Sequence, residues 1–326
     1  MARASPAGAR PVTVVVVSWN TRPLLLRCLD SLAADAAAGL ARVWVVDNGS
    51  GDGSADAARD HAPWAEIVET GENLGFGRAV NLVARRTDSE WLACANADIA
   101  LEPGALAALL GVTGGERLGC IAPRLVLADG STQHSVFPLP TLPFTVAFNL
   151  GLQRIAPAFG DRLCLEGYWN PERARAVPWA IGAFLLLRRS AFAAVGGFDE
   201  RQWMYGEDLD LGWRLHDAGW ITRYEPAAHV RHAAGAATEI AFADDRVARY
   251  TRATYAVLAR RRGAAVTVLT AAVNVAGAAA RIAWTAPLAV LSRRHRGSLA
   301  AARMWLRVHL EGLRFAVAGG HGAADR

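Results

Sequence analysis

The 326-residue chain contains no lysine: all 35 of its basic residues are arginines. That absence excludes Schiff-base chemistry, P-loop nucleotide hydrolysis and protein-kinase catalysis, each of which needs a lysine amine. Cysteine is scarce too. Cys28, Cys94, Cys120 and Cys164 stand far apart with no C-x-x-C pair. A zinc knuckle and a thioredoxin motif are therefore absent, and a disulfide framework is not expected in a chain this long. The four read as small core residues in a reducing compartment. The apolar run near the N-terminus spans only Val12 to Val17 with Thr13 inside it. It is too short for a signal-peptide core and suits a buried strand, so a cytoplasmic protein is expected. H-E-x-x-H and G-x-G-x-x-G are both missing, which argues against a zinc hydrolase of that kind and against a dinucleotide fold. No internal repeat or low-complexity linker occurs.

What is present is apolar and arginine-rich: 52% hydrophobic, 20% charged, with a formal charge of +5. The length allows about two domains, or one large α/β domain with an appendage. Through the first half, β-branched runs alternate with alanine- and leucine-rich stretches: VTVVVVS, RPLLLRCLDSLAADAAAG, ARVWVVD, GSADAARDHA, AEIVET, GRAVNLVARRT and EWLACANAD. That rhythm predicts a mostly parallel sheet with helices on its faces, and ligands of such sheets bind at the carboxyl ends of the strands. Ser18-Trp19-Asn20, Asp47-Asn48-Gly49-Ser50 and Asn96-Ala97-Asp98 sit at those ends and should converge on one crevice. From Pro123 to Pro178 prolines and aromatics dominate without helical period, as in a lid or binding loop. YGEDLDLGWRLHDAGW reads as a helix whose first turn is acidic, where the helix dipole favours acids.

Taken singly the polar clusters are ambiguous. Asn96-Ala97-Asp98 fits a divalent-cation site or the N-cap of the next helix. Asp47-Asn48-Gly49-Ser50 is also good turn chemistry. Glu207-Asp208 fits a general base, since adjacent carboxylates raise each other's pKa, or simply an acidic helical turn. His229 and His232 fit surface histidines or one metal ligand; His216-Asp217 reads as solvated surface.

Their order is distinctive. A strand-end Asn, D-N-x-S-x-D-x-S, N-x-G-F, a strand-end x-x-D, a G-A pair, G-E-D-x-D-x-x-x-R and a late His resemble the family 2 glycosyltransferases of the GT-A fold, in their rhamnosyltransferase-like branch. The likeness runs from about Val12 to Thr238, and NLGFGRAVN with GFDERQWMYGEDLDLGWRLHDAGW is specific to it. The resemblance implies a GT-A catalytic domain over residues 1–238. Its nucleotide-sugar half is about 11–122 and its acceptor half about 123–238; a helical extension follows over 239–326. It implies that Asp47 contacts the uracil or thymine base and ribose, with Asn20 beside it. Asn73, Gly75, Phe76, Gly77 and Asn81 would pack over the nucleotide. Asn96 and Asp98 occupy the family's D-x-D position, so Asp98, with His232, would hold Mg2+ or Mn2+, and Asn96 would lie against the donor. Asp208 would be the catalytic base beside Glu207, with Gly182, Ala183 and Trp179 on the acceptor side. Asn96 departs from the usual Asp and removes one negative charge from the metal site. Arg188, Arg189 and Arg214 are available to a diphosphate. The implied reaction is inverting transfer from a nucleotide-sugar, dTDP-rhamnose first, to a lipid-linked or polysaccharide acceptor. A UDP-hexose or UDP-galactofuranose donor is the alternative, and a non-catalytic nucleotide-sugar-binding protein the reading from another class.

The basic pI of about 9.4 suggests nucleic acid, but the arginines cluster after Arg246 without an aromatic array, so no nucleic-acid partner is expected. Residues 264–280 carry no charge yet hold Thr267, Thr270 and Asn274, and are flanked by arginine clusters with Trp284 and Trp305 nearby. That pattern suits an interfacial helix on an anionic membrane surface, peripheral on the inner face of the plasma membrane. The alternative is a helical subdomain packed on the core or within a homo-oligomer.

Overall fold

The structure, a computed structural model, describes residues 11–233, 246–290 and 292–317. The chain forms two compact units, Met1–Phe137 with Asn170–Ala241, and Pro138–Trp169 with Phe242–Arg326. The boundary placed at residues 238 and 239 lies outside the described residues.

In the first unit the strands and helices run β1 (Val12–Ser18), α1 (Arg22–Ala37), β2 (Ala41–Asp47), α2 (Ser54–His61), β3 (Glu66–Glu69), α3 (Phe76–Ala84), β4 (Trp91–Asn96), β5 (Ile99–Leu101), α4 (Ala105–Leu110), β6 (Leu118–Val126) and β7 (Val136–Phe137). The second unit then takes α5 (Leu142–Asn149), α6 (Leu152–Ile155) and α7 (Pro157–Arg162). The first unit resumes with β8 (Arg175–Val177), β9 (Trp179–Ala180), β10 (Phe184–Arg188), α8 (Arg189–Ala194), α9 (Glu207–Asp217) and β11 (Ile221–His232). Two long helices, α10 (Arg246–Ala289) and α11 (Arg293–Val317), belong to the second unit.

The nine-stranded sheet has the order β3-β2-β1-β4-β10-β6-β11-β5, with β8 paired to β11. β3, β2, β1 and β4 are mutually parallel; β10 runs antiparallel between β4 and β6. This is the mostly parallel sheet that the alternating pattern predicts. Val14, Val16, Val43, Val45, Ala93 and Ala95 share one core with Leu25, Leu29 and Leu32 of α1. The alternate residues Val15, Val46, Leu92 and Cys94 are buried as well, so both faces are covered, as parallel strands require. All four cysteines are free and buried.

Two departures from the sequence reading have clear causes. β6 and β11 carry Pro123 and Pro226, which mask their strand character, and β11 shifts register between Glu225 and His229, around that proline. The proline-rich stretch read as irregular holds α5, α6 and α7, because its prolines stand in first helical turns, where no N–H is needed.

Candidate active site

Strand register builds the crevice. Ser18 pairs with Asp47 across β1–β2, and Val17 with Asn96 across β1–β4, so three polar strand ends stand side by side. The Asn20 N–H donates to Ser50 Oγ, and Asn20 Oδ1 accepts from the Gly51 N–H, at 2.9 and 2.8 Å. Asn20 thus ties the first loop to the second from a left-handed backbone at φ 52°. Asp47 Oδ2 accepts the Ser50 N–H at 2.9 Å. Its Oδ1 is buried with no partner, and so is Asn48 Oδ1, while Asn48 Nδ2 donates to the Gly75 carbonyl. Buried acceptors without donors cost free energy, and two together mark a place where a ligand's N–H or O–H groups belong.

On the other side of β4, the Asn96 N–H donates to the Ala183 carbonyl at 3.0 Å. The Gly182 N–H next to it donates to Asp208 Oδ2 at 3.0 Å, and Asp208 Oδ1 accepts the Leu209 N–H at 2.7 Å. A Cβ on Gly182 would lie 3.5 Å from Asp208 Cβ and 3.6 Å from Phe76 Cε1, ordinary contact distances, so the carboxylate and the Phe76 ring both border the turn that carries Gly182. Glu207 and Asp208 open α9 after Gly206, which takes φ 77°. Burial and the Asp208 charge push the Glu207 carboxyl up to about 8, and its Oε2 has no hydrogen-bond partner. Burial also raises Asp208, against the pull of its backbone N–H donors.

Asp98 and His232 form the third group. The Ala233 N–H donates to the Asp98 carbonyl, and His232 pairs with Ile99 in the β5–β11 ladder. Asp98 Oδ1 and His232 Nε2 face each other at 3.3 Å, both buried and without a hydrogen bond. His232 Nδ1 lies 2.7 Å from Gln133 Oε1. An imidazole donating from Nδ1 to that amide leaves the Nε2 lone pair aimed at a carboxylate oxygen. A carboxylate oxygen and an imidazole nitrogen at this separation can be joined by a proton on the ring or by a cation between them, and of the two expected cations Mn2+ takes a mixed oxygen–nitrogen pair more readily than Mg2+. Among the described residues there is no cluster of three or more His, Cys, Asp and Glu able to hold a metal. These two side chains therefore do not complete a coordination sphere by themselves.

Other expected residues are placed differently. The Asn81 amide is taken up by the loop before α9: Nδ2 donates to the Phe198 carbonyl and Glu200, and Oδ1 accepts the Phe198 N–H. It is a buried clamp on that loop and has no amide group to spare for a nucleotide. Asn73 Oδ1 caps the Gly75 N–H, and its carbonyl accepts from Trp203 Nε1. Gly77 abuts the Phe198 ring, and Phe76 meets the same ring edge-on at 5.7 Å. Trp179 is 2% exposed, stacks on Phe137 at 4.9 Å and fills the space left by Gly212 of α9. It forms the wall behind the acidic helix rather than a surface open to an acceptor. The three arginines offered to a diphosphate make their hydrogen bonds elsewhere, and only Arg214 Nη2 among their buried nitrogens is left without a partner. Arg188 binds the Leu118, Thr113 and Gly115 carbonyls, Arg189 the Ala84 carbonyl, and Arg214 binds Asp210 with the Val195 and Gly197 carbonyls. Gln133 joins the site without having been singled out, and Asn48, named only within its strand-end cluster, brings an unpaired oxygen of its own. Asn48 hides inside a turn motif, and nothing local marks Gln133, which is 99 residues from His232.

A mostly parallel sheet whose strand ends present acidic, amide and imidazole groups in one crevice, with a carboxylate-bearing helix across it, defines a glycosyltransferase of the GT-A type. The chain belongs to glycosyl transferase family 2: that family's model matches residues 13–195, and the model for glycosyl transferase family group 2 matches 170–319. It is 37% identical over 235 residues to the N-acetylglucosaminyl-diphospho-decaprenol L-rhamnosyltransferase of Mycobacterium tuberculosis, covering 67% of this chain and 75% of that one. It is 30% identical to the rhamnosyltransferase WbbL of Escherichia coli, over 50% of this chain and 62% of the relative. The mannosyltransferase PcManGT of Pyrobaculum calidifontis, solved with GDP-Man and Mn2+, shares the fold with a TM-score of 0.58 at 18% identity, covering 95% of this chain and 91% of that one.

Proposed function

We propose that the chain is an inverting, metal-dependent rhamnosyltransferase. It moves rhamnose from dTDP-rhamnose to a hydroxyl of a polyprenyl-diphosphate-linked N-acetylglucosamine, at the cytoplasmic face of the membrane, during cell-envelope glycan synthesis. The observation that carries this reading is the crevice itself. Unpaired Asp47 Oδ1 and the Asp98–His232 pair stand at its strand ends, with Asp208 across them on the Gly182 N–H. The acceptor and sugar are those in the name of the mycobacterial relative.

In this reading Asp47 and Asn48 receive the base and ribose donors. Asp98 and His232 would hold the divalent cation, and Asn96 at the end of β4 would offer it an amide oxygen in place of a carboxylate. When bound, the cation stabilises the negative charge that grows on the leaving diphosphate. Asp208 accepts the proton of the acceptor hydroxyl as its oxygen bonds to the anomeric carbon. The bond from that carbon to the diphosphate oxygen breaks with its electron pair on the diphosphate. One base and an in-line displacement give inversion. The two N–H donors on Asp208 fix its orientation and leave each oxygen a further lone pair for the incoming proton.

The test is transfer from a panel of dTDP- and UDP-sugars to synthetic polyprenyl-diphosphate N-acetylglucosamine, with the product's anomeric configuration read by NMR. Rhamnosyl transfer with inversion, lost in excess EDTA, is the expected result. Transfer of hexose or galactofuranose from UDP alone would replace the donor assignment, and full activity in EDTA would remove the cation.

A further inference from the structure

Part of the second unit is inside out for a water-soluble protein, although Val257, Leu258 and Val308 are buried in it. α5 is apolar almost all round, yet its buried residue is Thr145, while Val146 and Phe148 are exposed. Past its end, Leu150 and Ile155 are 70% and 80% exposed, with Leu152 exposed between them and polar Gln153 buried. The uncharged polar side chains of this segment point inward, while Arg154 is exposed. Asn149 donates to Asn274 Oδ1 and accepts from Arg281, Asn274 donates to Tyr255 Oη, and Tyr255 meets His309. In α10 the buried positions past the break at Gly263 are Thr267, Thr270, Ala271, Ala278 and Ala289, all polar or small, while Leu269 and Trp284 are exposed. Of the large hydrophobics exposed among the described residues, all but Trp64 and Ile221 belong to this unit.

Water drives the opposite arrangement, with apolar side chains inward and polar ones out. Small and polar residues between helices with apolar residues outside are the arrangement of helices in lipid. Charge points the same way. Residues 246–317 hold thirteen arginines and one acid, Glu311. A basic, apolar-faced unit fits an anionic lipid surface, each arginine near the headgroups adding to the attraction. α5 has eight residues, about 12 Å of helix, far short of the roughly 30 Å needed to span, so this element by itself is too short to cross a bilayer.

We infer that the exposed ridge Val146, Phe148, Leu150, Leu152 and Ile155 is a membrane-inserting surface, seated in the headgroup and acyl boundary of an anionic bilayer, with the arginines of α10 and α11 holding the headgroups. The inference rests on the lipid-linked acceptor proposed above and assigns the membrane contact to a segment far from the C-terminal helices in sequence.

Co-sedimentation of the full chain with vesicles of phosphatidylglycerol and phosphatidylcholine, compared with phosphatidylcholine alone, tests it. The wild type is expected to pellet with the anionic vesicles, and the doubly substituted Leu150→Ser, Ile155→Ser chain to need at least about ten times more lipid. Both side chains are already in solvent, so the thermal unfolding and dTDP binding of this variant stay at wild-type values. Equal vesicle binding by the variant, or no binding by the wild type, overturns the inference. So does a dimer that the substitutions dissociate without any change in vesicle binding, which would make a second copy the occupant. Transfer to a short-chain soluble acceptor separates the two readings: activity there without vesicle binding removes the ridge alone, and vesicle binding without rhamnosyl transfer removes the functional assignment alone.

Discussion

The adjacent carboxyls at the start of α9 sit in unlike surroundings: burial and the Asp208 charge push Glu207 up to about 8, whereas burial raises Asp208 against backbone N–H donors that favour its carboxylate form. Asp208→Asn is therefore expected to lower transfer by roughly 10²–10⁴-fold with dTDP binding, read by calorimetry, unchanged. Glu207→Gln mimics the protonated acid and should keep turnover of the same order at pH 7. The linkage sign follows from the raised pKa of Glu207. Its folded value lies above the unfolded one, so folding favours the protonated form, and stability declines as pH rises from about 4.5 to about 8. Urea unfolding at pH 5, 7 and 9 should show that decline flattened in Glu207→Gln; parallel curves would contradict it. Gln133 offers a second test at this scale. Leucine there removes the acceptor that directs His232 Nε2 toward Asp98, and Mn2+ affinity followed by EPR should fall about 10–100-fold. Gln133→Glu keeps an acceptor and should restore it, whereas equal affinity in all three proteins would show that Gln133 does not orient the histidine.

Between elements, the glycine-rich segment before and within α3 serves the loop that leads into α9. Gly75 takes φ +81°, and a Cβ there would lie 2.1 Å from the Trp203 carbonyl oxygen. Asn81 grips the Phe198 backbone from the same helix. Gly75→Ala combines left-handed strain with a backbone clash and should cost about 2 kcal/mol or more in denaturant unfolding. A loss below about 0.5 kcal/mol would mean the loop does not press on the segment. The elements legible in sequence were those with one clean period: β1, β2, β4 and α9 follow runs that burial then explains. β6 and β11 were not, because proline contradicts strand propensity and only pairing in the sheet overrides it. α5 was hidden for a different reason: an apolar helix with a polar inner face has no stripe that a soluble core would select. Arg188, Arg189 and Arg214 show the same limit, since composition does not tell which neighbour a guanidinium will find.

For the whole molecule, two compact units should give two calorimetric transitions, in contrast to the single cooperative one of a small domain. dTDP with Mn2+ at a hundredfold excess over Kd should raise the transition of the unit bearing Asp47, Asp98 and Asp208, by about 2.7 kcal/mol, and leave the other unmoved. A single transition shifted as one would show that the units unfold together.

By itself the sequence determined the layered α/β architecture, the strand ends on which Asn20, Asp47, Asn96 and Asp98 fall and, through its likeness to a family, the acids proposed to do the chemistry. Those are consequences of local period and of residue order, which a chain displays without folding. Only the tertiary structure decided that Asp208 rests on the Gly182 N–H, that Gln133 lies against His232 Nδ1, and that Asn81 and Trp179 serve packing. It alone revealed which face of α5 looks outward. Each of these depends on hydrogen bonds and contacts between residues far apart in the chain, and partners at that separation are chosen when the sheet registers and the helices pack.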